Sequence, residues 1–226
     1  MFAHLNVHSW FSFLRGASSP KRFAEAAARR GCKALALTDF HGVYGVVRHF
    51  AACEEVGIKP IIGAELFVDD YPLVLLVRNA EGFQALNKLL TRAHLANRDR
   101  PSVSFETLRG IARNLICLTG GREGYFFNAV YRRDYQRAFN WLSSLSEIFP
   151  QHLYVQLFHQ FTQDDRRYVH HARRISRLAG MPCVVAPPVY HVEEDDYAVH
   201  DMLTCIRHNI TVFESHQDRY GHEKSA

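Results

Sequence analysis

Histidines and carboxylates recur just past short apolar runs in this chain. His8 closes the opening segment, and Asp39 and His41 follow Ala34–Thr38. Glu65 ends the run Ile61-Ile62-Gly63-Ala64. His159 follows Leu153–Leu157, and His191 lies in the loop beyond Pro182–Ala186. Side chains of these types, gathered from the ends of several strands, can hold a cluster of divalent metals. Such a cluster lowers the pKa of a bridging water and clamps phosphate oxygens, which is the chemistry of phosphoester hydrolysis. Spacing tests this weakly, because the ligands come from separate strands, and the chain carries no HExxH or paired-cysteine motif. In the opening MFAHLNVHSWFSFLRG, His4, Asn6 and His8 alternate with Ala3, Leu5 and Val7, so on a strand they form one polar row. That row suits the floor of a metal site or an ordinary half-exposed strand.

Plainer readings compete at most of these positions. Glu65 needs solvent or a partner, since an unpaired buried carboxylate is expensive. A histidine such as His159 is more often simply hydrogen-bonded than a ligand. His94, His152, His170, His171, His200 and His208 fall on or beside helices or at strand starts and read as bystanders. Gly120-Gly121 reads as a turn, with a phosphate cradle of backbone amides as the alternative. Trp10, Phe11 and Phe13 read as core rather than as a stacking platform for bases.

The elements that must position these residues alternate. Ser19 before Pro20 starts a helix that Gly31 ends. Lys33–Asp39 is a buried strand and Gly42–Val56 a helix. Strands follow at Ile58–Glu65 and Leu73–Val77, then a helix over Ala80–Ala96 and a polar loop over 97–103. A short helix over 104–112 precedes strand Leu115–Leu118 and helix Asp134–Ser146. Strand Leu153–Leu157, helix Asp164–Ala179, strand Pro182–Ala186 and helix Asp195–Arg207 complete the pattern. About seven strands alternating with helices imply an α/β protein with a parallel sheet, most simply a closed or nearly closed barrel. Residues 214–226 read as a polar, flexible tail.

Composition narrows the class. The 226 residues are 47% hydrophobic and 22% charged, with a formal charge of +4. These values fit a globular domain and do not by themselves imply nucleic acid. Arginines cluster at 109–137 and again at 166–177 and read as solvated helix faces, with DNA contact as the alternative. No apolar run approaches the roughly 18 residues of a membrane span, and the start lacks the pattern of a signal peptide. Five scattered cysteines imply a reduced cytoplasmic protein that uses them as small core residues.

Six stretches carry a family resemblance: HLNVHSWFSFLRGAS, ALALTDFHGVYGVVR, GIKPIIGAEL, LVLLVRNAEGFQALNKLLT, ICLTGGREG and VVAPPVYHVEEDDYAVHDMLTCI. Their order resembles the N-terminal PHP (polymerase and histidinol phosphatase) domain of bacterial C-family DNA polymerases, the polymerase III alpha subunits. FSFLRGAS, GVYGVVR and LTGGREG are most similar to the error-prone accessory branch. The resemblance covers the chain to about Phe213 and implies a PHP domain over 1–213 with a distorted (β/α)7 TIM-like barrel and, in active members, a cluster of bound metals.

Carried over position by position, the ligand set is reduced. His8, Glu65, His159 and His191 remain, with His41 a candidate substitute one place late. Asn6, Arg15, Phe40, Pro72 and Val189 stand where ligands are expected. Arg15 brings a fixed positive charge, for which Glu65 is the expected partner. The resemblance therefore implies a mainly structural or interaction domain in replication or translesion repair, with no cofactor or at most a divalent Zn or Mn. Its implied partners are the remainder of an alpha subunit, other replication or repair proteins, and DNA. The alternative is a metal-dependent phosphoesterase or 3'-5' exonuclease using the residual ligands.

Overall fold

The computed structural model describes residues 2–160 and 163–219. Helices α1 (Pro20–Arg29), α2 (Val46–Glu55), α3 (Ala80–Ala96), α4 (Phe105–Ile111), α5 (Tyr125–Tyr131), α6 (Tyr135–Ile148), α7 (Gln163–Leu178) and α8 (Tyr197–His208) accompany one curled sheet. Its strands are β1 (Ala34–Leu37), β2 (Lys59–Val68), β3 (Tyr71–Val77), β4 (Ser102–Val103), β5 (Leu115–Leu118), β6 (Leu153–Leu157) and β7 (Cys183–Val185). Local chemistry sets the helix starts. The Ser19 side chain accepts from the Arg22 N–H with Pro20 in the first turn, and Asn79, Ser104 and Asp134 cap α3, α4 and α6 in the same way.

The strand order is β1-β2-β3-β5-β6-β7, with β4 on β2. The sheet is mixed rather than all-parallel, and of the expected distorted (β/α)7 barrel it shows a curled half-barrel. β3 runs antiparallel to both β2 and β5, while β1/β2, β5/β6 and β6/β7 are parallel. The reason is chain length. Only Asp69 and Asp70 separate β2 from β3, with Val68 opposite Tyr71. Two residues make a hairpin, whereas a parallel crossover needs about a dozen. Asp69 adopts φ 53°, as such tight turns demand.

The two ends of the sheet are joined by the opening segment through isolated bridges, His4 to Leu35 and Val7 to Val189. His4 and Val7 carbonyls accept from Ala36 and Thr38, while the Val189 N–H donates to Asn6 and the His8 N–H to Val189. The result is a mixed α/β fold with a curled half-barrel sheet and a strap across its gap. The polar row of the opening segment is broken as well. His4 lines a cavity with Val7, whereas Asn6 lines a different one.

Alternation along the strands decides what faces the site. Leu73 and Leu75 of β3, with Ala64 and Leu66 of β2, belong to the main core under α3, α5, α6 and α7. Val74 and Leu76 belong to a separate cluster with Ala36, Leu118 and Ala186. Glu65, paired with Val74, shares that second face. Two aromatic residues expected in the core are outside it: Trp10 is 51% and Phe13 82% exposed. Four of the five free cysteines are buried, as expected of core residues, but Cys183 is exposed at the short β7. Residues 214–219, read from the sequence as part of a tail, lie against α8, where Arg219 pairs with Asp201. Residues 220–226 lie outside the described ones. No helix among the described residues is long and apolar enough to cross a membrane.

The turn after β5 carries a steric demand. Gly120 has φ +82°, and a Cβ there would meet the Pro72 carbonyl oxygen at 2.3 Å, whereas a Cβ at Gly121 would find only Pro188 Cγ at 3.9 Å. Gly120→Ala is therefore expected to cost about 2 kcal/mol or more. It should lower Tm by about 5 °C or more, with Gly121→Ala within about 2 °C of wild type in the same thermal melts.

Candidate functional site

The site is built on the end of β1. Asp39, 1% exposed, accepts from the Ser9 N–H (2.6 Å), the Ser9 hydroxyl (2.9 Å) and the Ser12 hydroxyl (2.6 Å). The Ser12 oxygen also accepts from the Phe40 N–H at 3.1 Å. One carboxylate thus ties the tight turn over Ser9–Gly16 to the strand end. Burial pushes the Asp39 carboxyl above its ordinary value, against the lowering effect of Ser12, His8 and Ser9. Beside it, Thr38 donates to Asn6 Oδ1 at 3.0 Å and accepts from the Val7 N–H at 2.9 Å.

The clamp presents His8 to the second face of the sheet. Its Nε2 lies 3.3 Å from Glu65 Oε2, with side-chain exposures of 0% and 5%. The distance suits an ion pair, but the atom lacks the alignment of a hydrogen bond. The His8 ring is stacked on both sides, against Phe40 at 4.7 Å and 24° and against Tyr190 at 4.8 Å and 17°. The column continues at both ends. The Arg15 guanidinium lies 4.0 Å over the Phe40 ring, and His200 stacks on Tyr190 at 5.0 Å. His200 Nδ1 then donates to the Arg15 carbonyl at 2.7 Å.

A cavity of about 70 Å³ borders this column, with Asn6, Arg15, Phe40, Glu65 and Tyr190 on one side and Arg122, Glu123 and Asp218 among its other walls. Its charges are paired. Arg15 bonds Glu123 at 3.0 Å, Arg122 holds Asp165, and Arg207 holds Asp218 at 3.0 Å. The expected Arg15–Glu65 pair is thus replaced by Arg15–Glu123, with Glu65 facing His8. Burial opposes the charge on Arg15, but Glu123 carries its pKa above the usual value, with Tyr190 and Glu65 in support.

The remaining candidates flank the column, with the His191 ring 6.0 Å from that of His200. His159 and His191 line a second cavity of about 220 Å³ with His4. His191 is buried and its Nδ1 donates to the Glu193 carbonyl at 3.1 Å, whereas His159 is exposed. His41, at φ 53°, turns its ring to Phe67 at 5.1 Å. Phe40, not His41, is the residue bridged to Glu65, so a shift of one place re-aims the side chain. Of His8, Glu65, His159, His191 and His41, the structure brings the side chains of His8 and Glu65 together, and the His41 N–H donates to the Glu65 carbonyl at 2.8 Å.

Donor chemistry bears on a metal cluster in this pocket. Phe40, Pro72 and Val189 offer no ligand atom, and Arg15 offers only positive charge. The Asn6 amide has its oxygen engaged by Thr38 and its nitrogen without a hydrogen-bond partner. Of the ligand positions the resemblance implies, His8 and Glu65 are the pair whose side chains meet here, and the carboxylates of Glu123 and Asp218 on the cavity wall are engaged by Arg15 and Arg207, so the residues present do not fit a metal cluster. Among the described residues, the side chains close enough to share a metal are His208, His216 and Asp218. Reading the sequence missed Tyr190, His200, Arg122 and Arg207 as pocket residues, as well as the His208 cluster. The adjacent rings Tyr190 and His191 are the sequence signal for this stretch: Tyr190 lines the cavity beside Glu65 and His191 the second cavity.

Two measurements check this description. Asp39→Asn leaves one acceptor oxygen for three donors and is expected to cost about 2–4 kcal/mol in urea unfolding. Burial lowers His41 and His200 to about 4. Because the folded pKa lies below the unfolded 6.5, the unfolded chain takes up the proton first. Stability therefore falls from about pH 6.5 toward 4 by roughly 1.4 kcal/mol per unit and group, against an opposite contribution from Asp39. The urea midpoint should drop between pH 7 and 4.5, and less so for His200→Gln; an unchanged wild-type midpoint would refute the assignment.

Comparison with known proteins agrees with this architecture. The PHP domain family matches residues 4–160. The error-prone DNA polymerase of Symbiobacterium thermophilum is 34% identical over 96% of this chain and 22% of its own length. The DNA polymerase III subunit alpha of Vibrio cholerae is 29% identical over 93% of this chain and 19% of its own. The chain therefore spans about a fifth of the length of these curated relatives. Among solved structures, a putative metal-dependent phosphoesterase from Bifidobacterium adolescentis superposes with a TM-score of 0.61 at 11% identity, covering 84% of this chain and 88% of that one. An amidohydrolase from Chromobacterium violaceum gives 0.58 at 16% identity, over 85% and 89%. The solved structures speak to the fold alone, and with the family match over most of its length this chain belongs to the PHP domain family.

Proposed function

We propose that this is the PHP domain of a DNA polymerase III alpha-type subunit of the error-prone branch, acting as a scaffold rather than as a hydrolase. Its partners would be the rest of such a subunit and other replication or repair proteins in the cytoplasm, with DNA close by. The observation that carries the reading is the column Arg15–Phe40–His8–Tyr190–His200, which packs the pocket with rings and a guanidinium. A histidine stacked on both faces, with Glu65 at its edge, is positioned for packing and charge compensation. The paired charges of the cavity wall work in the same direction, because each guanidinium already has a carboxylate.

The competing reading is a residual metal-dependent phosphoesterase or 3'-5' exonuclease. The His8–Glu65 contact at 3.3 Å favours it, since these two side chains are the start of a ligand pair. Turnover of p-nitrophenyl phosphate and of a single-stranded oligonucleotide, with added Mn2+ or Zn2+, separates the two. Wild type is expected to show no more activity than a His8→Ala/Glu65→Ala double variant. Hydrolysis by wild type that the double variant loses, with that variant still folded by circular dichroism, would sink the scaffold reading.

A further inference from the structure

His208, His216 and Asp218 lie outside the stacked column, and each offers a ligand atom within 4.8 Å of the other two. His208 ends α8, while His216 and Asp218 come from the segment that turns back on it. The two imidazole rings stack at 3.8 Å and 27°. His208 Nε2 is 2.8 Å from Asp218 Oδ2. The turn carrying Asp218 is anchored within the cluster, where the Asp218 N–H donates to His216 Nδ1 at 3.1 Å, and also outside it. Arg219 donates to both Asp201 oxygens at 2.8 Å, and the Tyr197 hydroxyl donates to the Arg219 carbonyl at 2.7 Å. The convergence of the three side chains is therefore a property of the fold around them.

Asp218 Oδ2 can only accept, so the His208 Nε2–H donates to it at 2.8 Å. Arg207 adds positive charge beside the pair, with Nε 3.2 Å from His208 Nε2 and a terminal nitrogen 3.0 Å from Asp218 Oδ2. A divalent cation would displace that proton and leave the Nε2 lone pair and the carboxylate oxygen as two ligand atoms aimed at one point. We propose that His208, His216 and Asp218 form a divalent-cation site, best suited to zinc, in which the metal takes the place now held by the Arg207 guanidinium. Two imidazoles and a carboxylate with a water in the fourth position are a zinc-type donor set. Bonds of about 2.0–2.2 Å at tetrahedral angles place ligand atoms about 3.3 Å apart. The His208–Asp218 contact then opens by roughly half an ångström. Arg207 and Asp218 both border the cavity beside Glu65. Loading the site therefore releases a guanidinium toward that cavity and pins the 214–219 segment to α8.

The test is zinc titration calorimetry on the 226-residue chain after EDTA treatment, with thermal melts with and without zinc. Wild type is expected to bind one zinc and melt higher with it. His216→Ala, a change on the turned-back segment, should weaken binding ten-fold or more, Arg207→Gln should tighten it, and Glu65→Gln should leave it unchanged. Absence of saturable zinc binding overturns this inference and leaves the scaffold reading standing. Zinc retained by His216→Ala but lost by Glu65→Gln overturns both, because it moves the metal into the pocket.

Discussion

The Asp39 carboxylate is the constraint on which the rest of the site depends. It is almost wholly buried and has its three donors in the turn that follows the opening strap. Removing a carboxylate from water is costly, and here the hydrogen bonds offset the cost only in part, since the group remains harder to ionise than usual. What the arrangement achieves is register. With Ser9 and Ser12 fixed to the end of β1, His8 must project toward Glu65 and Arg15 must reach Phe40. The same turn donates the Ala17 N–H to the Tyr190 carbonyl, which fixes the opposite side of the column. One buried anion thus sets the positions of residues drawn from four separated stretches of chain.

The sheet determines which side chains can join that column. A curled sheet with both faces apolar leaves little room for charge, so Glu65 on the second face needs a partner, and His8 is placed to be one. Alternation does the selecting: Phe40 enters with Glu65 while His41 turns to Phe67, and Tyr190 enters while Val189 and His191 face the second cavity. The rings then bury area as well as stacking. Each ring contact adds on the order of 0.5–1.5 kcal/mol beyond burial, and the guanidinium over Phe40 adds about as much again.

Much of this was legible in the sequence, because local signals settled it. Ser19-Pro20 and Gly31 bounded α1, and apolar runs ending in Thr38-Asp39 and Glu65 marked strands whose ends reach the site. Six ordered stretches identified the family, and the family match bears that out. The antiparallel β3 was overlooked because its apolar run resembles a parallel strand; the two-residue connection Asp69-Asp70 was the informative feature. The broken row His4-Asn6-His8 was not legible. A strap held by isolated bridges need not keep the period-two alternation of a laddered strand, so His4 and Asn6 reach different cavities. Tyr190, His200 and Arg207 enter the site through tertiary packing alone, for which composition and periodicity offer no sign. Trp10 and Phe13 show the converse, large rings that the fold leaves outside.

Two departures from an active PHP pocket weigh on the scaffold reading, and their magnitudes differ. Arg15 reaches His8 through one intervening ring, which places its charge roughly 9 Å away. At an effective dielectric of about 20, a unit charge repels a dication at that distance by about 4 kcal/mol, a loss near a thousand-fold in affinity. Protein zinc sites with full ligand sets bind with about 10–16 kcal/mol, so a guanidinium alone leaves affinity to spare. Glu123 reduces its effect further by pairing with it. On the proposed reading, the ligand loss that the family resemblance implies is the heavier departure. With Phe40, Pro72 and Val189 in ligand positions, the deficit is in donor atoms, and no rearrangement of the neighbouring charges supplies them. Replacing Arg15 alone would remove the repulsion and, on the scaffold reading, would still leave His8 and Glu65 short of a full ligand set. On this argument the rings came to matter more than the charges, because a stacked column occupies the volume in which further ligands would have to meet.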